Sequence, residues 1–226
     1  MRESRIYCGD ARTILPTLPT DQYAILVSDP PFNIGYHYSK YADKMAAVDY
    51  YEMLAGIFAG KPHVLIHYSE YLYAYAVHTA QVPVRTVSWV YNSNQQRQHR
   101  EIAFFNVKPD FSQVRQPYKN PNDKRVRALI ASGSQGRPLY DWWNTQQVKN
   151  ISKEKTAHPC QMPLVVMRNI IGVLPADALI VDPFVGSGTT GVAAKQLGRD
   201  FIGIELDEGY VEIARSRIAA AQFGIL

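Results

Sequence analysis

The chain contains little cysteine and no long apolar run. Cysteine occurs only at Cys8 and Cys160, and the two lie far apart, without the spacing of a metal site. This scarcity argues against a disulfide framework or a zinc site and fits a reduced, cytoplasmic protein. The six histidines show no ligand spacing, so we expect no metal. No stretch approaches the roughly 20 apolar residues that a membrane span needs, so we expect no membrane association.

A common phosphate-binding pattern and internal repeats are also missing. No Gly-Lys-Ser/Thr follows the glycine turn at Gly186 and Gly188, which disfavours a phosphate loop of the Walker type. The net charge of +4 permits a nucleic-acid partner and does not require one.

Apolar runs alternate with helical periodicity along most of the chain. Strands are predicted at 24–28, 63–68, 86–91, 101–107, 178–181 and 201–205, and helices at 50–59, 69–79, 164–173 and 189–197. The stretch 178–205 is a complete βαβ unit, and the whole pattern predicts an α/β fold. At 226 residues, the chain can bury one sizeable core and carry a small appended lobe.

Residues 108–150 interrupt this pattern. Periodicity fades there, and Pro, Gly, Asn, Gln, Arg and Lys accumulate around Tyr118, Trp142 and Trp143, which predicts a small loop-rich insert. Cationic residues are concentrated in the middle third, as a surface that follows a nucleic-acid backbone requires, although an ordinary solvated loop is the alternative. They are Arg97, Arg100, Lys108, Arg115, Lys119, Lys124, Arg125, Arg127, Arg137 and Lys149.

The segment 179–190 places a strand, an acidic residue, a small-residue turn and a helix start in that order. Such a turn opens a ligand pocket at the carboxyl end of a parallel strand. A side chain at Gly186 or Gly188 would block a ligand from the backbone or be strained in the turn. Glu205 ends the next strand, where an acidic side chain accepts hydrogen bonds from ribose hydroxyls. An ordinary strand-to-helix turn is the alternative.

The four residues Asp29, Pro30, Pro31 and Phe32 directly follow the first buried strand. The Asp29 carboxylate can accept one hydrogen of an amine and the Pro30 carbonyl the other, which stabilises the charge that develops as the nitrogen attacks. Proline has a fixed φ and no N–H, so that carbonyl is held still. Phe32 offers a face on which a planar ring can stack. A structural turn is the alternative.

Together these segments resemble the catalytic and cofactor motifs of the DNA amino-methyltransferases, in the permuted order called the beta class. The match rests on Asp29-Pro-Pro-Phe32 near the start and Asp182-Pro-Phe-Val-Gly-Ser-Gly-Thr189 near the end. The resemblance implies a Rossmann-like S-adenosylmethionine-dependent methyltransferase fold, circularly permuted, with a mostly parallel twisted sheet and helices on both faces. It implies S-adenosylmethionine as cofactor and double-stranded DNA as substrate.

The resemblance also implies the residues of the site. The catalytic residues are Asp29, Pro30, Pro31 and Phe32. Residues 153–163 resemble the element that precedes the cofactor strand, and Ile6-Tyr-Cys-Gly-Asp10 resembles the element beside the adenine ring of the cofactor. The implied cofactor-binding residues are Asp10, Asp29, His158, Pro159, Gln161, Asp182, Phe184, Gly186, Ser187, Gly188, Thr189 and Glu205.

Residues 1–107 and 151–226 then form the catalytic methyltransferase domain, and 108–150 the target-recognition insert. Three features depart from the family pattern. Phe32 replaces the usual tyrosine, which keeps the ring and removes a hydroxyl. Cys160 and Met162 replace a threonine and a lysine, which removes a charge near the cofactor. The short insert predicts a short target or the help of a second subunit, and the resemblance leaves room for a homodimer and for a cognate restriction endonuclease.

The sequence therefore predicts direct methyl transfer to N6 of adenine in a specific double-stranded DNA sequence, on a base flipped out of the duplex. Asp29 favours adenine, because N4-cytosine enzymes of this kind more often carry serine there. N4 of cytosine is the close alternative. A catalytically weakened DNA-binding homologue and an RNA or protein amine methyltransferase are the others. A cytosine C5 nucleophile at Cys160 is disfavoured, because that cysteine precedes the cofactor strand.

Overall fold

Strands and helices alternate along the chain in the computed structural model, which describes residues 3–19, 24–38, 40–149 and 151–224. The strands are β1 Ser4–Cys8, β2 Ala24–Ser28, β3 His63–His67, β4 Arg85–Val90, β5 His99–Phe105, β6 Arg115–Gln116, β7 Arg137–Pro138, β8 Trp142–Asn144, β9 Leu179–Asp182 and β10 Phe201–Glu205. The helices are α1 Ala11–Ile14, α2 Ala47–Phe58, α3 Ser69–Thr79, α4 Lys124–Ala131, α5 Leu164–Gly172, α6 Thr189–Gln196 and α7 Glu208–Ala220. Within these ranges no helix is both long and apolar enough to cross a membrane.

One eight-stranded sheet forms the centre of the fold, in the order β1-β10-β9-β2-β3-β5-β4-β8. The first five strands in this order are parallel, β5 is antiparallel to both neighbours, and β4 pairs in parallel with β8. This confirms the predicted α/β fold with a mostly parallel sheet.

Alternate residues of the central strands pack on opposite faces of this sheet. In β2, Ile25 and Val27 join a core cluster with α5, α6 and α7, whereas Leu26 joins a second cluster with α2 and α3. Every residue of β2 and β3 is buried, which is why each strand contains a continuous apolar run, 24–27 in β2 and 64–66 in β3, rather than an alternating pattern. Helices therefore cover both faces, as predicted.

Helix α7 has no counterpart among the predicted elements, although the sequence carries its signals. The Asp207 carboxylate caps its first turn by accepting the backbone amides of Gly209 and Tyr210. Its buried residues, Val211, Ala214 and Ile218, follow helical spacing. The cap and this spacing together predict a helix after β10.

The segment 108–149 has more regular structure than its sequence predicts, and its last predicted residue, Asn150, lies outside the described residues. Strands β6 and β7 form a separate antiparallel pair, and no residue of α4 between them is buried. Strand β8 instead pairs with β4 in the main sheet, and Leu139 and Trp143 are buried in its core. The exposed part of the segment is therefore the β6–α4–β7 unit.

Candidate active site

The two motifs meet because their strands are neighbours in the sheet. Strand β2 pairs in parallel with β9, with Leu26 opposite Val181, so both strands end at the same edge. The Ser28 hydroxyl, at the end of β2, donates to the carboxylate of Asp182 at 2.8 Å, although 154 residues separate the two in sequence. The loop that begins at Asp29 therefore lies beside the glycine loop.

A cavity of about 300 Å³ opens at this edge, within the size range of small-molecule sites. Three of the predicted site residues, Pro159, Gln161 and Gly188, are not among those that line it. The structure brings the other twelve together around it: Asp10, Asp29, Pro30, Pro31, Phe32, His158, Asp182, Phe184, Gly186, Ser187, Thr189 and Glu205.

The segment 158–162 presents alternate residues to the cavity. His158, Cys160 and Met162 line it, and Pro159 and Gln161 do not. The Gln161 side chain instead accepts a backbone amide of the preceding loop at 2.9 Å and donates to a carbonyl there at 2.5 Å. In this structure Pro159 and Gln161 therefore shape the loop, and the two residues that depart from the family pattern occupy the inward positions.

The Asp182 carboxylate accepts three short hydrogen bonds. It accepts from the hydroxyls of Ser28 at 2.8 Å and Thr190 at 2.5 Å, and from the backbone amide of Phe184 at 3.0 Å. The side chain is buried, and burial raises its pKa to about 6. Because these donors belong to β2, to the glycine loop and to α6, Asp182 joins the three elements that form the site.

The glycine turn allows two close approaches. Gly186 and Gly188 have φ values of 51° and 82°, where side chains are strained. A Cβ on Gly186 would lie 2.8 Å from Nε2 of His158, and one on Gly188 would lie 2.8 Å from Ala214 of α7. Gly188 is therefore required by helix packing, whereas Gly186 faces the cavity beside His158.

Arg217 of α7 braces this turn and was missed by the sequence reasoning. Its Nη1 donates to the Ser187 carbonyl at 2.6 Å, to the Ser187 hydroxyl at 3.0 Å and to the Thr189 hydroxyl at 3.1 Å. The polar residues predicted to face a ligand are thus already held by a neighbouring helix, which fixes the turn before any ligand binds.

Glu205, at the end of β10, lines the side of the cavity next to the glycine turn. Its two oxygens accept the backbone amides of Gly186 at 2.8 Å and Asp207 at 3.0 Å, and burial raises its pKa. Each carboxylate oxygen has a second lone pair, so Glu205 can also accept hydrogen bonds from a ligand. Asp10 lines the same side, where a hydrogen bond from Arg12 lowers its pKa.

Asp29 has far fewer partners than Asp182. Among the described residues, its carboxylate is reached only by Nη1 of Arg100, at 3.4 and 3.5 Å. The two side chains are 14% and 15% exposed, and burial raises the pKa of Asp29 to about 6 against the opposing charge of Arg100. Charge-assisted hydrogen bonds usually measure about 2.7–2.9 Å. The Asp29 carboxylate therefore keeps unused acceptor capacity.

Phe32 is buried rather than presented as an open platform. Its ring is stacked with His67 at 4.1 Å between centroids, and the Arg100 guanidinium carbon lies 4.6 Å from the ring centroid. Only 8% of its surface is exposed. In this structure Phe32 packs the wall of the cavity, so the predicted stacking on a substrate ring would require a rearrangement of these neighbours.

Arg100 lies inside the site and not on the cationic surface to which its sequence position assigned it. Arg100 is the second residue of β5. The next residue, Glu101, pairs with His67 at the end of β3. Because β5 is antiparallel to β3, its amino end lies at the edge where the parallel strands stop. The sequence predicted the strand but not its direction, which is what places the arginine.

A loop rich in tyrosine closes another side of the cavity and was also missed. Tyr36, Tyr38 and Tyr41, from the described part of the loop 33–45, line the cavity. The buried Asp43 carboxylate accepts three backbone amides from residues 33–36, at 2.7, 3.2 and 2.9 Å, which fixes the start of the loop. Burial raises the pKa of Tyr38, so its hydroxyl stays protonated.

The cavity lining is net acidic. Its basic side chains are Arg12, Lys40 and Arg100, since burial lowers the pKa of His158 to about 4 and keeps it neutral. This balance favours a cationic ligand over one that carries phosphates. The lining carboxyl groups are Asp10, Asp29, Asp43, Asp182, Glu205 and Asp207.

Known proteins resemble the chain over most of its length. The DNA methylase family model, N6_N4_Mtase, matches residues 23–216. The type II methyltransferase M.ScaI of Streptomyces caespitosus is 28% identical over 254 residues, which cover 95% of this chain and 81% of that protein. The type II methyltransferase M2.DpnII of Streptococcus pneumoniae is 41% identical over 105 residues, 44% of this chain and 39% of that protein.

Solved structures share the fold. The crystal structure of the M1.HpyAVI–SAM complex superposes with a TM-score of 0.58 at 23% identity, over 95% of this chain and 100% of that one. The PvuII DNA methyltransferase (cytosine-N4-specific) gives a TM-score of 0.67 at 16% identity, over 98% of this chain and 87% of that one. This confirms the predicted Rossmann-like methyltransferase fold.

Proposed function

The chain belongs to the N6/N4 DNA methylase family, and from that premise we propose that it methylates N6 of adenine in double-stranded DNA, on a base flipped out of the duplex. Methylation of DNA from S-adenosylmethionine is the activity that this family shares. The observation that carries the proposal is the Asp29 carboxylate, which is nearly buried, keeps unused acceptor capacity and lies beside the glycine loop.

The cavity residues fit S-adenosylmethionine, which when bound supplies a methyl group activated by a sulfonium cation. The net acidic lining suits that positive charge. Glu205 can accept hydrogen bonds from the ribose hydroxyls. His158 lines the cavity, and its buried Nδ1 has no hydrogen-bond partner within the described part of the chain, which leaves an unsatisfied polar atom at this site. We propose Gly186 and Ser187 as further residues of this cofactor site.

Asp29 and Pro30 would hold the amine that is methylated. The lone pair of an exocyclic amine is delocalised into the base ring, so the nitrogen is a poor nucleophile until its hydrogens are held. An ionised Asp29 would accept one hydrogen and the Pro30 carbonyl the other, which stabilises the nitrogen as it becomes tetrahedral. Because the Asp29 side chain is only 14% exposed, a base could reach it only after leaving the duplex.

We propose the segment 108–150 as the target-recognition region. It contains eight Lys and Arg residues against three Asp, a net charge of +5, whereas the whole chain has a net charge of +4. The rest of the chain is therefore slightly acidic, and the positive charge that attracts DNA phosphates is concentrated here. Helix α4 is exposed along its length, and its Lys124, Arg125 and Arg127 are available for phosphate contacts.

Methyl-labelled S-adenosylmethionine and duplex DNA test the proposal directly. After incubation and digestion to nucleosides, we expect the label in N6-methyladenine. Label in N4-methylcytosine would overturn the choice of adenine, and stronger labelling of RNA than of duplex DNA would overturn the choice of substrate. The variant Asp29→Ala, checked for cofactor binding by calorimetry, is the matched control and should leave the DNA unlabelled.

The role of the insert has its own test. Replacing Lys124, Arg125 and Arg127 together by alanine should weaken duplex binding and reduce its salt dependence, because each lost phosphate contact lowers the slope by about 1. Cofactor affinity should stay unchanged, because no residue of α4 is buried or lines the cavity. Unchanged DNA affinity and salt dependence would place the DNA surface elsewhere.

A further inference from the structure

The charged side chain of Arg100 lines the cavity, and not all of its N–H donors have a hydrogen-bond partner among the described residues. Its Nε is buried and has no hydrogen-bond partner among the described residues. Its Nη1 lies 3.4 and 3.5 Å from the Asp29 oxygens and 3.8 Å from the Met162 sulfur, and the Tyr91 hydroxyl also lies beside the guanidinium. The contacts with Asp29 and Met162 are long, so the guanidinium can still donate to a ligand.

Aromatic rings hold this guanidinium in place. Its central carbon lies 4.6 Å from the ring centroid of Phe32, 5.3 Å from that of Trp89 and 5.9 Å from that of Tyr68. Cation–π contacts at such distances are attractive, and most of all where water is excluded. Arg100 is therefore fixed at the site and does not extend to solvent as a phosphate-binding arginine would.

We propose that Arg100 recognises the target base by donating a hydrogen bond to the ring nitrogen next to the amine that Asp29 accepts. The inference rests on the proposed function. Asp29 and Arg100 lie side by side and present an acceptor and a donor to the cavity. A flipped base is commonly read through hydrogen bonds to its Watson–Crick edge. Adenine presents N1 next to its amine, and cytosine presents N3, and both ring nitrogens are acceptors.

This pairing explains how the site would reject the other two bases. Thymine has no exocyclic amine to donate to Asp29. On the Watson–Crick edge of guanine, the ring nitrogen next to the amine carries a hydrogen, which would face the donors of Arg100. Two donors placed together in a buried site leave both without acceptors, and such unpaired groups are strongly disfavoured. Asp29 and Arg100 together would therefore select adenine or cytosine.

Duplexes in which single ring nitrogens are replaced test this role. The target adenine is exchanged for 1-deazaadenine, which lacks N1, or for 7-deazaadenine, which lacks N7 and keeps N1. For the wild-type protein we expect kcat/KM to fall about tenfold or more with 1-deazaadenine and much less with 7-deazaadenine. Arg100→Met should be slower with adenine and should no longer distinguish it from 1-deazaadenine. Arg100→Lys should regain part of the distinction.

Loss of N1 also changes the amine itself. This effect cancels when the ratio of kcat/KM for adenine to kcat/KM for 1-deazaadenine is compared between the wild-type protein and each variant. Arg97→Met is the matched control, because Arg97 precedes the same strand but is 51% exposed and pairs with Glu70, so it should keep the wild-type ratio. Cofactor binding measured by calorimetry shows that each variant retains its site. If cytosine is the base that is methylated, 3-deazacytosine replaces 1-deazaadenine.

Two outcomes would overturn the inference. One is an Arg100→Met variant that discriminates against 1-deazaadenine as strongly as the wild type, and the other is a wild-type protein that methylates both bases equally well. Failure of the wild-type protein to methylate any unmodified duplex would refute the proposed function as well as this inference, and it would be seen before a modified base is used.

Discussion

Two neighbouring carboxyl groups, those of Asp29 and Asp182, differ in what surrounds them more than in where they lie. Both stand at the ends of adjacent parallel strands, and burial raises the pKa of each to about 6. Asp182 accepts three hydrogen bonds of 3.0 Å or less, whereas Asp29 is approached only by Arg100, at 3.4 Å or more, among the described residues. Unused acceptor capacity, rather than burial or pKa, distinguishes the carboxylate that we propose to be reactive from the structural one.

The difference follows from how each loop is fixed. Asp182 is itself the point at which β2, β9 and α6 are joined, so its oxygens are used in holding the site together. The Asp29 loop is stiffened by Pro30 and Pro31, whose φ angles are fixed by their rings. Such a loop needs few hydrogen bonds to keep its shape, so the Asp29 carboxylate keeps acceptor capacity for the substrate amine that we propose.

The largest effect expected is that of Asp29→Ala on methyl transfer. Loss of the group that stabilises the attacking nitrogen should lower kcat by about 10²–10³-fold. The free energy of unfolding should change much less than in Asp182→Ala, because the contacts of Asp29 are long. Single-turnover rates and urea denaturation measure the two quantities. A variant that keeps more than about a tenth of the wild-type rate would remove Asp29 from the chemistry.

Asp182→Ala should show the opposite pattern. Three donors lose their acceptor in a buried site, so we expect the free energy of unfolding to fall by about 2–4 kcal/mol. Urea denaturation measures this loss, and Asp182→Asn, which keeps one acceptor oxygen, should lose less. Normal stability combined with lost methyl transfer would mean that Asp182 takes part in the reaction, and the contrast with Asp29 would then fail.

The pH dependence of methyl transfer separates the two carboxyl groups further. Asp29 must be ionised to accept the amine, so the rate should fall as the pH drops below about 6. The charge of Arg100 lowers the pKa of Asp29 and that of Asp182 raises it, so Arg100→Met should move this acidic limb to higher pH. Arg97→Met, which removes an exposed charge, should leave the limb in place.

The free energy of unfolding should respond to pH in the opposite direction from the rate of methyl transfer. The folded-state pKa values of both carboxyls lie above their ordinary value of 3.8, so their contribution to stability is largest below that pH and is lost as the pH rises through about 6. Asp182→Asn should remove part of this dependence. An acidic limb near pH 4 in the rate profile would show that Asp29 is not held in the environment described.

The smallest effect expected is that of Ser28→Ala. It removes one of the three donors to Asp182 and should lower the free energy of unfolding by about 1 kcal/mol. Methyl transfer should change only a few-fold, because Asp29 keeps its own contacts. A loss as large as that in Asp182→Ala would show that the Ser28 hydrogen bond supplies nearly all of what Asp182 contributes to stability.

The sequence predicted the two loops well and their surroundings poorly. Strand β2 and the glycine unit can be predicted because buried parallel strands are continuous apolar runs, and the residues that follow them are those for which we propose a role in the reaction. Arg100 was assigned to the surface because its place depends on the antiparallel direction of β5, which no local pattern reveals. Long-range pairing decides which side chains join a site, and a single sequence does not encode that pairing locally.

Two other differences have local causes. The places of Cys160 and Met162 at the cavity, and of Pro159 and Gln161 away from it, depend on a loop with a turn at Pro159 and Cys160, whose path the sequence leaves open. The bracing of the glycine turn by Arg217 required α7 to be identified first, and that helix was overlooked although Val211, Ala214 and Ile218 mark its face. Because α7 was not predicted from the sequence, the contact of Arg217 with the glycine turn could not be predicted either.

The pairing of β2 with β9 also has a consequence for synthesis on the ribosome. Ser28 emerges long before Asp182, with 154 residues between the two ends of that hydrogen bond. At about 5–20 residues per second, the all-buried strand β2 waits roughly 10–30 s for its neighbour. During that interval the nascent chain exposes an apolar strand with an open edge and cannot yet form its catalytic site. The growing chain therefore completes its site only once β9 and β10 have been made.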